Sequence, residues 1–483
     1  MGVEARVASA APTNQDKGSI LRSPWAALIV LSAAQFMVII DATVVNVALP
    51  SIGRGLKFAT AADLQWVVTA YVLVTGGMTL LGGRMTDFLG RRSLFLTGLL
   101  IFTGASLATG LAQSPGFMVA SRVVQGLGAA LLTPAALSII TTTFVGRQRA
   151  TAFAVWGGLG AGGSAVGVVL GGVLTSWFGW QWVFFINVPI GAAAAAASLF
   201  VLPAAHGPHE GLGNLDLGGA ILLITGLGAL VFAITAAASH DLFSTQTLVS
   251  LVAAAGLLVA FSLVERRSSE PILPPSSWRI RSLISGNAVF LGASAVMGGV
   301  FFLSSIYVQR VLGATAWEAG LAFLPLALAV GAGANVAPRL VSHAGVRAAL
   351  LIGLVIEGAG VLFLAQVPSH ASYFTNLLPG LLAIGVGLGF SFASAPFIVM
   401  ADVSPDDAGL ASGLMQTAHE IGISLGVASL SAVATFVAIQ SGLAAGYRQS
   451  MLVAALIAGL LAVLSLTVVP AVRPSPGERP HLH

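Results

Sequence analysis

Asp41 and Arg122 are charged residues inside long apolar runs, at 25–49 and 117–141. A guanidinium keeps its proton, so Arg122 needs an anion, carbonyl groups or water beside it. A carboxyl group within an apolar span is suited to taking up and releasing a proton. At 1.5 Å per residue, Asp41 lies about 13 Å from the outer end of its run, and Arg122 lies about 8 Å from the outer end of its own. We therefore expect the two side chains to lie near one another and to serve proton coupling; a structural ion pair and a snorkelling arginine are the alternatives.

Two further carboxylates lie near the middle of apolar runs in the second half of the chain. Glu357 and Glu420 are each about 15 Å from the ends of the runs 348–366 and 411–437. If these two side chains face a cavity, their negative charge would favour cationic ligands. A helix-packing contact is the alternative for Glu357. His419, which precedes Glu420, is a weaker candidate.

Other polar and aromatic residues could line a cavity that suits promiscuous ligands, in which few polar anchors are set in an apolar wall. The candidates are Asn46, Gln65, Trp66, Tyr71, Tyr307 and Gln309. Packing within the helices is the alternative for each. Asp216, at the start of an apolar run, is most simply a helix N-cap.

The elements that hold these residues must be membrane-spanning helices. The 483 residues are 57% hydrophobic and only 8% charged, whereas soluble domains carry about 25% charged residues. The apolar runs are continuous rather than alternating, which indicates α-helices and excludes barrel strands. With no cysteine, disulfides and thiolate metal sites are excluded. The only lysines are Lys17 and Lys57, and the chain has no phosphate-binding loop. We expect no cofactor, no metal and no enzymatic activity. The basic residues are dispersed over short loops, so we also expect no nucleic-acid partner.

Windows of about 20 apolar residues predict fourteen spans. Their expected bounds are 25–49, 63–82, 93–112, 117–141, 151–174, 182–202, 215–237, 246–264, 285–307, 318–337, 348–366, 374–400, 411–437 and 449–470. With the N-terminus inside, inner segments hold 16 of the 21 arginines and lysines and outer loops hold 4. This bias predicts that both termini are cytoplasmic. Offsetting the sequence by 255 residues aligns Gly90 with Gly345, which suggests two repeated halves.

Four strings resemble signatures of the major facilitator superfamily, and specifically of its fourteen-helix drug:proton antiporter branch. The first is 40–50, around Asp41, and the second is the loop 83–92. The third is 122–130, which begins with Arg122, and the fourth is 163–172 in span 5. In the loop, the resemblance implies a gating element made of Gly83, Asp87, Gly90, Arg91 and Arg92; a turn that carries positive-inside charge is the alternative.

The fourth string has the glycines of the antiporter helix but departs from the family at one position. The close-packing residues Gly163, Gly167, Gly171 and Gly172 are present, whereas Val168 stands where the family has proline. The kink that proline would produce is therefore in doubt, and the antiport assignment is slightly weakened.

The resemblance implies two six-helix bundles with two extra helices between them. The expected organisation is a tail 1–24, a bundle 25–202, the inserted helices 203–264, a loop 265–284, a bundle 285–470 and a tail 471–483. It also implies export of lipophilic compounds in exchange for protons. Because Glu357 and Glu420 would add negative charge, we expect cationic substrates, and we expect a monomer in a bacterial inner membrane. A dedicated exporter of one metabolite or antibiotic is the main alternative; a uniporter, an importer and a membrane sensor are others.

Overall fold

Fourteen helices in the described part of the chain are long and apolar enough to cross a membrane, which confirms the predicted number. The structure is a computed structural model that describes residues 23–202, 216–239, 243–268, 271, 277–368, 371–404, 407–467 and 469. Residues 1–22 of the predicted tail 1–24, the predicted tail 471–483 and the connection 203–215 lie outside the described residues.

The first six helices form one bundle. They are α1 (Pro24–Gly55), α2 (Trp66–Leu89), α3 (Arg91–Gly110), α4 (Pro115–Thr143), α5 (Gly146–Trp177) and α6 (Asn187–Val201). Short helices at Ala61–Leu64 and Trp182–Phe185 precede α2 and α6. Within the bundle, α4 packs against α2 and α3, while α1 packs against α5 and α6.

The remaining helices are an inserted pair and a second bundle. The pair is α7 (Leu217–Ser239) and α8 (Thr245–Arg267). The second bundle contains α9 (Arg281–Arg310), α10 (Ala316–Ala344), α11 (Val346–Leu364), α12 (Leu378–Val399), α13 (Ala408–Ser441) and α14 (Leu443–Thr467). Here α12 packs against α10 and α11, and α9 packs against α13 and α14.

Local sequence signals determine where several helices begin. Ser114 caps α4 by accepting from the Phe117 amide at 3.3 Å, with proline next in the chain. Thr315 and Glu318 form a capping box at the start of α10. Asp216 accepts from the Gly219 amide at 2.7 Å, which confirms its predicted role as a cap.

The two halves share a turn that the repeat predicts. Gly90 joins α2 to α3 with a φ of 81°, and Gly345 joins α10 to α11 with a φ of 86°. Residues with side chains rarely adopt this left-handed region, so glycine is required at both turns. The two positions that the alignment pairs thus make the same kind of turn.

The inserted helix α7 lies between the two bundles, where it packs against α2 of the first and α13 of the second. Gln65, just before α2, donates to the Thr235 hydroxyl of α7 at 3.3 Å. Along the same seam, Gly77 of α2 faces Ile224 of α7 without room for a side chain. By contrast, α8 packs mainly on α7 and presents apolar residues outward, including Val249 and Val252.

The bundles make close contacts near the end of the molecule where α1 terminates, which we call the closed end. There Ser305 of α9 donates to the Asn46 carbonyl at 2.6 Å, and Gln309 donates to the Val47 carbonyl at 2.8 Å. On the other flank, the Trp317 amide of α10 donates to the Ser176 hydroxyl of α5 at 2.9 Å.

Toward the opposite end, the structure shows open space beside α5 and α10. A side chain added at Gly158, Gly160 or Gly162 of α5, or at Gly331 of α10, would meet no described atom within 4 Å. Gly158 and Gly160 are two positions apart on α5 and therefore point to nearly opposite faces of the helix, so this open space is not confined to the side that faces α10.

Candidate functional site

Asp41 and Arg122 form an ion pair inside the first bundle, which confirms their predicted proximity. Arg122 Nη1 donates to Asp41 Oδ2 at 2.6 Å, and the two side chains are 1% and 0% exposed. Because both charges are removed from water, each depends on the other and on further hydrogen bonds.

Arg122 is held on several sides. Its Nε donates to the Val67 carbonyl of α2 at 2.9 Å, and its Nη1 also donates to Gln125 Oε1 at 2.8 Å. The Tyr71 ring lies 4.2 Å from the guanidinium carbon, within the range of a cation–π contact. These contacts orient the guanidinium towards Asp41 and leave no room for a snorkelling conformation.

The other oxygen of Asp41 accepts two amide hydrogen bonds. Gln125 Nε2 donates to Asp41 Oδ1 at 2.8 Å, and Asn187 Nδ2 donates to the same atom at 2.9 Å. Asn187 also donates to the Ser106 hydroxyl of α3 at 3.0 Å. The carboxylate thus receives three donors, from α4 and α6, which is the pattern expected for a buried anion.

Sequence reasoning did not assign Asn187 to the site. It lies at the first position of α6 and is fully buried, and its Oδ1 has no hydrogen-bond partner among the described residues. An amide in an otherwise apolar segment was the available signal, but its meaning depends on how α6 approaches α1. Ser106 was missed for the same reason.

Most residues predicted to line the substrate cavity are instead buried in helix contacts. Asp41 belongs to the ion-pair cluster, and Asn46 donates to the Ala42 carbonyl of its own helix at 2.9 Å. Gln65 binds Thr235 and Thr69. Tyr307 is 2% exposed and donates to the Pro368 carbonyl at 3.3 Å. In this conformation neighbouring helices satisfy the polar groups of these residues, and their role as a cavity wall stays a prediction.

Glu420 and Trp66 remain half-buried. Glu420 lies on α13 at the seam with α2, where its Cβ faces Gly76 so closely that no side chain fits there. Gln416 Nε2 donates to Glu420 Oε1 at 2.9 Å. Thr417 of α13 crosses the seam and donates to the Gly76 carbonyl at 2.8 Å. Glu420 therefore lies between the two bundles, where a substrate cavity is expected.

His419 turns away from that seam into the second bundle. Its Nδ1 lies 2.8 Å from the Ser294 hydroxyl of α9. Its ring stacks on Phe290 at 5.6 Å and meets the edge of Phe392 at 5.5 Å. These contacts pack His419 within the second bundle, which agrees with the expectation that it is a weaker candidate than Glu420 for a ligand-facing residue.

Glu357 is fully buried in α11, and neither carboxylate oxygen has a hydrogen-bond partner among the described residues. It faces Gly387 of α12, where a Cβ would lie 2.8 Å from the Glu357 Cβ. In contrast to Glu420, it lies on a helix that packs chiefly against α12 and α14 of its own bundle. In this conformation Glu357 therefore lies at a helix crossing, as the alternative of a helix-packing contact describes, and its cavity position stays a prediction.

In the predicted gating loop, Gly90 makes the turn between α2 and α3. Arg92 donates to the Leu199 carbonyl of α6 at 2.8 Å, and Arg91 is half-buried. The Gly83 carbonyl accepts from Thr86 at 2.6 Å. The side chain of Asp87 lies outside the described part, so its predicted role stays a prediction.

The antiporter-helix glycines fall on two faces of α5. Gly163, Gly167 and Gly171 pack against α1, where added side chains would clash with Ile39, Thr43 and Val44 respectively. Gly172 instead faces α10, where a Cβ would lie 2.7 Å from the Ala316 carbonyl oxygen. One face therefore holds the first bundle together, and the other forms the contact between bundles at the closed end.

Val168 also belongs to that contact. Its side chain is 2% exposed, and its carbonyl oxygen would lie 2.5 Å from a Cβ placed at Gly320 of α10. The helix continues through this position from Gly146 to Trp177 without a break. Position 168 thus lies where the backbones of α5 and α10 approach most closely.

The site thus consists of an ion pair inside the first of two six-helix bundles. Residues 31–427 match the family model of the Major Facilitator Superfamily. The chain belongs to the Major Facilitator Superfamily and is a transporter rather than an enzyme.

Several antibiotic resistance and export proteins are similar to the chain along most of its length. The puromycin resistance protein of Streptomyces alboniger is 37% identical over 85% of this chain and 82% of its own. The cephamycin export protein of Amycolatopsis lactamdurans is 36% identical, covering 84% of both chains. The lincomycin resistance protein of Streptomyces lincolnensis is 32% identical over 86% of this chain and 85% of its own.

A solved structure of a more distant transporter shares the fold. The structure of a peptide transporter, POT, in complex with sulfate has a TM-score of 0.67 at 15% identity, covering 92% of this chain and 96% of that one. At this identity the likeness concerns the fold alone.

Proposed function

We propose that the protein is a proton-coupled exporter of lipophilic cations, acting in a bacterial inner membrane with both termini in the cytoplasm. The observation that carries the proposal is the buried Asp41–Arg122 pair, 2.6 Å apart and shielded from water. A buried ionisable pair in a membrane helix bundle needs a functional explanation, and proton coupling supplies one. The resistance and export roles in the names of its relatives support the same reading.

Proton uptake at Asp41 would change the pair in a defined way. A proton on Oδ2 neutralises the acceptor of Arg122 Nη1, and the guanidinium retains Gln125 Oε1 at 2.8 Å as a second acceptor. Gln125 and Asn187 would then lose the charge on Oδ1 that strengthens their hydrogen bonds. Protonation of Asp41 would thus change the free energy of this cluster and favour one arrangement of α1, α4 and α6 over another.

The contacts at the closed end are consistent with substrate loading from the cytoplasm. With the predicted orientation, this end is extracellular, and the bundles are joined there through Ser305, Gln309 and Trp317. Glu420 would supply negative charge at the seam between bundles, which favours a cationic ligand. One inward elementary charge across 100 mV is worth about 2.3 kcal/mol, so an inward proton can support an outward substrate gradient. Both bundles belong to one chain, and we propose that a monomer is sufficient.

The test uses proteoliposomes or inverted vesicles with an acidic interior, to which a lipophilic cation is added. Wild type should release the internal protons when substrate is added, and Asp41→Asn should not. Asp402→Asn, which changes an exposed carboxylate after α12, is the matched control and should behave as wild type. If wild type takes up the cation without moving protons, coupling is wrong, and Val168→Pro becomes the next variant to measure.

A dedicated exporter of one antibiotic or metabolite is the second candidate. Its support is that the puromycin, cephamycin and lincomycin relatives are each named for a single compound. The same vesicles distinguish the candidates when a panel of lipophilic cations is compared with individual antibiotics. Proton release with one antibiotic and none of the cations would favour the dedicated exporter.

A further inference from the structure

Glu357 occupies the closest part of the crossing between α11 and α12. Gly353 and Gly360 lie one turn away on either side, on the same face of α11, and they meet the backbone of Gly387 and Gly380. Because these glycines bring the two helix backbones together, the carboxyl group is enclosed and 0% exposed. Both of its oxygens lack a hydrogen-bond partner among the described residues.

No charged group faces Glu357 from the elements packed against α11. The helix α12 contains no titratable residue, and α14 approaches this part of α11 through Ala458, beside Gly358. The titratable groups of these surroundings lie toward helix ends and turns: Arg347 on α11, Tyr447 and Arg448 on α14, Glu318, Arg339 and His343 on α10, and Tyr373 before α12. Arg347, for example, is ten positions from Glu357, about 15 Å along the helix, and donates to the Ser465 carbonyl at 3.0 Å.

The surroundings of Glu357 determine which ligand its carboxyl group can bind. An ionised carboxylate without a partner in such a site is very costly. A metal ion would need several oxygen ligands, and none of the described residues provides a polar contact to the carboxylate. A proton needs no additional ligand and removes the charge.

We propose that Glu357 is a proton-binding site of its own, separate from the Asp41–Arg122 cluster and located entirely within the second bundle. In this conformation it is the neutral acid. When α11 and α12 loosen during the transport cycle and admit water, the carboxyl O–H bond breaks and the proton passes to that water. The second bundle then carries one proton of the exchange, a step that rests on the proposed proton-coupled export.

Nearby hydroxyl groups suggest where the proton leaves. Ser391 and Ser394 of α12 are buried, and neither Oγ has a partner among the described residues. Ser391 lies one turn beyond Gly387, and its Oγ would be 2.9 Å from a Cβ at Gly353. It also lines a narrow crevice together with Phe290 of α9. A hydroxyl can both accept and donate, so these serines can connect Glu357 to incoming water.

The direct test is infrared spectroscopy of the purified, reconstituted protein, which detects the carbonyl stretch of a protonated carboxyl group. Wild type should show this absorption at neutral pH, and Glu357→Gln should lose it. The double variant Asp41→Asn with Glu420→Gln should retain it, because Glu357 is intact. Unchanged absorption in Glu357→Gln, or its loss in the double variant, would overturn the proposal. This measurement requires no transport, so it remains decisive if the proposed function fails.

The transport test measures how far substrate accumulates at steady state under a fixed pH gradient. Each coupled proton multiplies the attainable gradient about tenfold per pH unit, since a tenfold ratio is worth about 1.4 kcal/mol. Glu357→Gln should therefore still transport but accumulate about tenfold less per pH unit, while Asp402→Asn matches wild type. Equal accumulation in Glu357→Gln and wild type would show that Glu357 carries no proton of the exchange.

Discussion

Arg122 Nη1 lies 2.6 Å from Asp41 Oδ2, although the two residues are 81 positions apart in the chain. The contact joins α4 to α1 in the interior of the first bundle. Neither partner has access to bulk water, so the energetic consequences of altering one depend on whether the other is altered too.

Removing the charge of Arg122 alone should strongly destabilise the protein. Arg122→Gln leaves the Asp41 carboxylate buried without its cation, and breaking such a pair typically costs about 3–5 kcal/mol. The measurement is thermal unfolding of the purified variants in one detergent. The double variant with Asp41→Asn should recover much of the loss, because no unpaired charge remains. Additive losses in the double variant would contradict the coupling.

Lysine should not replace Arg122. The guanidinium donates to Asp41, Gln125 and the Val67 carbonyl through two of its nitrogens and also faces the Tyr71 ring. A single ammonium group cannot reproduce that planar arrangement. We expect Arg122→Lys to reduce proton-linked export at least tenfold while the protein remains folded. Export at the wild-type rate would show that charge alone is sufficient.

Asn187 should be required for function even though it carries no charge. Asn187→Leu removes a donor to the Asp41 carboxylate, and hydrogen bonds to charged groups are worth about 1.5–3 kcal/mol. Proton-linked export and thermal stability should both fall. Ser106→Ala is the control, because it keeps every donor to the Asp41 carboxylate and removes the hydroxyl that accepts from Asn187 at 3.0 Å and donates to the Phe184 carbonyl at 2.9 Å. An effect of Ser106→Ala as large as that of Asn187→Leu would assign the role to packing instead.

Alanine at Gly172 should impair transport more than folding. The added Cβ would lie 2.7 Å from the Ala316 carbonyl oxygen and 2.9 Å from the Trp317 Cα, so the two bundles must separate at the closed end. We expect export to fall at least tenfold. Gly158→Ala adds a methyl group where no described atom lies within 4 Å, and it should leave export unchanged. Comparable export by the two variants would contradict the closed-end contact.

A disulfide across the closed end should stop transport reversibly. The chain has no cysteine, so the double variant Ser176→Cys with Trp317→Cys contains a single pair of thiols that can form a disulfide. The contact between the Trp317 amide and the Ser176 hydroxyl brings these positions near the distance that a disulfide needs. Oxidation should abolish export and reduction should restore it. Full export by the oxidised, cross-linked protein would show that this end does not open.

Hydropathy was sufficient to predict the fourteen spans, because a helix in lipid must be apolar over a defined length. The helix ends were less accurate: α5 was expected at 151–174 and extends over Gly146–Trp177. Polar residues such as Arg147 and Arg149 can continue a helix beyond the apolar core. Span 6 was expected as one segment, yet the short helix Trp182–Phe185 precedes α6.

The site was predictable where depth alone decides the contact. Asp41 and Arg122 have similar depths in their spans, and charges of opposite sign at one depth attract. The environments of Glu357 and Glu420 could not be separated in this way. Both lie near the middle of a span, but the difference between a helix crossing and the seam between bundles depends on helix rotation, which periodicity in a uniformly apolar segment does not reveal.

The position of α7 makes the two flanks of the molecule unequal. Protein covers the seam between α2 and α13, because α7 packs against both helices and Thr235 binds Gln65. On the flank between α5 and α10 the two bundles contact each other directly, and neither inserted helix makes a comparable contact there among the described residues. A molecule that diffuses in the plane of the bilayer therefore meets an inserted helix on one side and a direct contact between bundles on the other, so the two lateral approaches are not equivalent.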